Sequence, residues 1–115
     1  MATQLAFSGS LSSGVPGPFQ AWMAVADFSR GAGRLHVRGE YRLGPRSASV
    51  RLVERRAAGT NPAELVLDLA AAGDGAGGEW FVVEGAFAAR EGQYRTVRVV
   101  DIYGDQIVFK VEEAR

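Results

Sequence analysis

The stretch Arg34-Leu35-His36-Val37-Arg38-Gly39-Glu40-Tyr41-Arg42-Leu43 alternates polar and apolar positions without a break. Successive side chains on an extended strand point to opposite faces. Leu35, Val37, Gly39, Tyr41 and Leu43 therefore share one side, and Arg34, His36, Arg38, Glu40 and Arg42 share the other. That pattern is a half-buried strand with one face in water.

Neighbouring runs repeat it. Ala48, Val50 and Leu52 point inward while Ser47, Ser49, Arg51 and Arg55 point outward. Leu65, Leu67 and Leu69 alternate with Glu64, Val66 and Asp68, and Ile107, Phe109 and Val111 alternate with Gln106, Val108, Lys110 and Glu112. Trp80 to Val83 and Val97 to Val100 are apolar on both faces, which places them in the covered middle of a sheet. Thr3 to Ser8 reads as a short first strand. Turn signals separate the runs at Gly44-Pro45, Gly59-Thr60-Asn61-Pro62, Gly73 to Gly78, Glu91-Gly92 and Gly104-Asp105. Tyr103-Gly104-Asp105-Gln106 suits a two-residue hairpin, with glycine at the first central position.

Phe19 to Phe28 fits two periods. Phe19, Trp22, Met23 and Ala26 have helical spacing, whereas Phe19, Ala21, Met23 and Val25 fit one face of a strand. Strand is preferred because every neighbouring element is β, and sequential strands usually pair. The expectation is an all-β chain, a single antiparallel β-sandwich of about eight strands over residues 1–115, immunoglobulin-like in general shape. A small closed β-barrel is the alternative, or an α+β fold if 19–28 is helical. No family resemblance stands out, and the paired cysteines that frame an immunoglobulin core are absent.

The 115 residues include no cysteine, which excludes disulfides, thiolate metal sites, iron–sulfur clusters and a cysteine nucleophile. No apolar run approaches the roughly 20 residues of a membrane span, so no membrane role is expected. Met1 to Phe7 has neither a basic start nor a continuous apolar core, and the expected location is cytoplasmic. His36 is the one histidine, on a polar strand face between Arg34 and Arg38. Nothing beside it resembles a nucleophile elbow. Gly73-Asp74-Gly75-Ala76-Gly77-Gly78 matches G-x-G-x-x-G in form only, because a strand follows it and Asp74 and Glu79 repel phosphate. Asp74, Glu79, Asp101 and Asp105 lack the spacing of a calcium loop. No catalytic residue, cofactor or metal is expected.

Charge is unevenly distributed. Between Arg30 and Arg56 lie eight arginines and two acids, a net of +6, while the remaining five cations and eleven acids leave −6. A hairpin around Gly44-Pro45 would bring Arg34, Arg38, Arg42, Arg51 and Arg55 onto one surface. Neutralisation by Glu64 and Asp68 of the next strand is the simplest fate of that surface. Its planar, weakly hydrated forks also suit a protein partner or a second copy. Zero net charge disfavours nucleic acid, whose affinity rests on counterion release. The expected function is a non-catalytic interaction or accessory domain acting through this arginine-rich hairpin. The alternative is a small-molecule-binding barrel with Trp22, Trp80 and Phe109 around its cavity.

Overall fold

The computed structural model describes residues 17–29, 33–44, 47–55 and 61–114. Seven strands form: β1 (Phe19–Asp27), β2 (Arg34–Arg42), β3 (Ser49–Glu54), β4 (Glu64–Ala72), β5 (Trp80–Ala88), β6 (Thr96–Val100) and β7 (Gln106–Ala114). No helix occurs among the described residues. Seven of the runs read from the sequence are strands, and the Thr3–Ser8 run lies outside the described residues.

The strands make one sheet in the order β3-β4-β6-β7-β1-β2-β5. Its two ends, β3 and β5, lie side by side without a hydrogen-bonded ladder, so the sheet nearly closes on itself. The barrel alternative describes this fold, and the two packed layers of a sandwich do not. Neither is the sheet wholly antiparallel: β1 runs parallel to β7, and β4 parallel to β6. Inward residues of all the strands meet at one axis. Leu35, Val37, Leu67, Val83, Val97 and Val99 are all but fully buried there. Each such side chain contributes roughly 1.5–3 kcal/mol on burial. Beneath one end of the barrel, a pocket bounded by Tyr41, Ser47, Val50, Leu69 and Tyr103 measures about 10 Å³. That is near the lower limit for a single water. The middle is filled by side chains.

β2 holds its expected alternation throughout: Leu35, Val37, Gly39, Tyr41 and the following Leu43 are buried. Segment 19–28 is strand over Phe19–Asp27, but with a break in period. Ala21 has φ +57°, and Ala21 and Trp22 together face the single residue Gly39 between the Gln20↔Glu40 and Met23↔Arg38 pairs. This β-bulge reverses the faces beyond it. Trp22, Ala24 and Ala26 turn inward, while Met23 is half exposed on the outside. Of the inward set Phe19, Ala21, Met23 and Val25, only Phe19 stands in the core.

The turn after β6 also differs in detail. Asp101 and Asp105 bond through Asp101 N and Asp105 O at 2.9 Å, leaving a three-residue loop of Ile102, Tyr103 and Gly104. Gly104 takes φ +89°, the left-handed position of such loops. The strand therefore ends at Val100 instead of Tyr103.

Candidate functional site

The outer face of β1, β2 and β5 is built by the bulge. Met23 and Val25 of β1 lie beside Arg38 and His36 of β2, which face Glu84 and Ala86 of β5. These six line a groove of about 510 Å³. Apolar surface continues along β5 into Val82 and Trp80, exposed at 48% and 43%. β5 was expected in the covered middle of a sheet. It is instead an end strand, paired with β2 alone, and its outer side is open. β6 does lie in the middle, between β4 and β7.

All five predicted arginines are exposed, but no hairpin joins them. β2 pairs with β1 and β5, and β3 pairs with β4. β5 occupies the place beside β2 that a tight hairpin would give to β3. Arg34, Arg38 and Arg42 thus stand in a row on β2, while Arg51 stands on β3 beyond β5 and Arg55 directly follows that strand. Arg38 Nε lies 3.7 Å from a Glu84 carboxylate oxygen. Arg42 Cζ lies 5.9 Å from the centroid of the Trp80 ring, a cation–π contact. Arg55 forks onto Asp68, with Nε donating to Oδ2 at 3.0 Å and a second bond from its terminal nitrogen. That hydrogen bond, reinforced by the charge of Arg55, holds the Asp68 carboxyl below its usual value despite the opposing cost of desolvation. Glu64 is taken up by Arg98 in the same way. Arg51 has no partner among the described residues.

No family model, curated protein or solved structure matches the chain.

A second concavity lies at the barrel end formed by Pro18, the segment after β2, the glycine-rich loop and the β6–β7 turn. Its organiser is Asp101, buried to 6% exposure. Tyr41 Oη donates to Asp101 Oδ2 at 2.9 Å, and the amides of Tyr103 and Asp105 donate to Oδ1, each at 2.9 Å. Burial, then the hydrogen bond to Asp101 and that group's charge, push the Tyr41 phenol far above its ordinary value. The opposite wall is tied down by Leu43 N to Glu79 O at 2.8 Å and Gly78 N to Leu43 O at 2.7 Å. The glycine-rich loop thus opens strand β5, as its sequence context predicts, with no helix to receive a phosphate. Among the described residues no three His, Asp or Glu side chains gather as metal ligands.

The aromatic trio expected around an internal ligand is divided. Trp22 packs against Phe109, with ring centroids 5.9 Å apart, and donates Nε1–H to Glu40 O at 3.0 Å. Trp80 is outside. Two features escaped the sequence reading: the groove, which depends on the bulge, and the cleft, which depends on loops meeting in space. Exposed Ile102 and Tyr103 beside Gly104 in a turn were the available sign of the second.

Proposed function

We propose that the protein is a non-catalytic interaction domain, acting in the cytoplasm, that docks a second copy of itself through the outer face of β1, β2 and β5. The observation that carries this reading is the groove at Met23, Val25 and Ala86, set among exposed apolar side chains and an equal number of opposite charges. Arg34, Arg38 and Arg42 run along β2, with Asp27, Glu40 and Glu84 on or beside the same row. A face of zero net charge whose signs are mixed complements itself under a two-fold rotation, as an isologous dimer requires. A net-basic or net-acidic partner would gain less from it. The Arg38–Glu84 pair is solvent-exposed on both sides, and such pairs contribute only about 0–1 kcal/mol, so both charges can exchange into an interface at little cost. Methionine, tryptophan and arginine are also the side chains that interface centres favour. The filled barrel supports this reading over a ligand held inside.

Light scattering coupled to size-exclusion chromatography tests it, comparing the native chain with Arg38→Glu and Met23→Lys. The expected result is twice the chain mass for the native protein and a return to monomer in the double variant, with circular dichroism unchanged. A native protein that stays monomeric across the concentration range removes self-association. Retention of the dimer in the double variant removes this face as its interface.

A further inference from the structure

The end cleft defined by Tyr41, Arg42, Gly44, Asp101, Tyr103 and Asp105, with Ala76–Gly78 opposite, encloses about 480 Å³. That lies within the roughly 300–1,000 Å³ of small-molecule sites. We propose that it binds a neutral, hydroxyl-rich ring, a saccharide unit stacked on Tyr103.

Three observations converge. Tyr103 is 57% exposed, yet its backbone is held by the amide hydrogen bond to Asp101, and its phenol end lies over Gly44. A Cβ at Gly44 would meet Tyr103 Oη at 2.6 Å, so glycine makes the seat on which the ring lies. An aromatic face is electron-rich and attracts the polarised C–H edge of a sugar ring. Next, the rim of the cleft carries a donor-only group, Arg42, whose guanidinium also contacts the Trp80 ring, and an acceptor-only group, Asp105, whose carboxylate has no partner among the described residues. Hydroxyl groups donate and accept, so one polyol satisfies both. Finally, charge selects against ions. An anion would face Asp101 and Asp105, and a cation would face Arg42. The buried Asp101 carboxylate is already met by three donors and serves as the fixed post for the loop.

The test is saturation-transfer NMR on the full chain with glucose, galactose, mannose and N-acetylglucosamine, with inorganic phosphate and free lysine as charged probes. The expected result is transfer to ring protons of at least one neutral sugar at millimolar affinity. Tyr103→Ala should weaken that binding about tenfold or more, and Tyr103→Phe should preserve it. Thermal melting confirms that each variant is folded. No transfer to any of the four sugars, an undiminished signal in Tyr103→Ala, or stronger binding of phosphate or lysine overturns the proposal. Met23→Lys should leave sugar binding intact, which separates this site from the dimer face.

Discussion

The indole of Trp22 fills the space that a side chain at position 39 would need. A methyl group on Gly39 would overlap Trp22 Cδ2 and Cε2, and the two residues belong to facing strands at the bulge. Gly39→Ala should therefore destabilise the protein by about 1–3 kcal/mol, the usual cost of overpacking. Urea unfolding measures it. In a Trp22→Leu background the same substitution should cost distinctly less, because residues in contact couple in a double-mutant cycle. Equal costs in the two backgrounds would show that the indole is not what forbids a side chain there.

Ala21 sits at φ +57° in that bulge, a conformation in which an L side chain costs about 1–2 kcal/mol. Glycine removes that strain but loses more backbone entropy on folding, by about 0.5–1 kcal/mol. Ala21→Gly should give a net gain of about 0–1.5 kcal/mol by these two values, read as a higher urea midpoint at unchanged slope. Ala21→Val should lower the midpoint, since branching at Cβ worsens the same clash.

The bulge also explains where the sequence reading stops. Alternation in Arg34–Leu43 and in Leu65, Leu67 and Leu69 places every inward residue correctly, because a strand's period assigns faces by itself. One left-handed alanine then shifts the register of β1, and alanine carries no signal for that conformation as glycine would. Strand neighbours are less legible still. The Arg34–Leu43 and Ser47–Arg55 runs are adjacent in sequence, yet β5 stands between them in space. The parallel β1–β7 and β4–β6 pairs depend on crossovers with no local pattern. For the candidate site, the outward direction of the arginines was legible, and the separation of their two strands by β5 was not.

Tyr41 and Asp101 give an alkaline signature. Burial and the bond to Asp101 raise the folded phenol above its unfolded value near 10. A raised folded value means that the unfolded chain releases the proton first as pH rises. The stabilisation is then complete below about pH 10 and is lost as pH climbs towards the folded value. Tyr41→Phe should flatten this alkaline decline. It should also cost about 1–3 kcal/mol at neutral pH, because Asp101 loses a donor inside the protein. Denaturant midpoints measured from pH 7 upwards check both, and a decline as steep in Tyr41→Phe as in the native chain would refute the assignment.

At the acid end the sign reverses. The Arg55 fork depresses the folded Asp68 value, so the unfolded chain takes up the proton first as pH falls. Stability from this pair is present above the unfolded value near 4 and disappears as pH drops through the folded one. The pair is about 40% exposed on both sides, and solvent screening keeps its contribution small. Asp68→Asn should therefore lower the midpoint slightly at pH 6 and converge with the native chain once pH has fallen through the folded value, measured at low salt. The same substitution frees Arg55. If the dimer contact lies on β1, β2 and β5, that added free charge at the end of β3 should leave the association constant unchanged. A large change would move the interface across the β3–β5 seam.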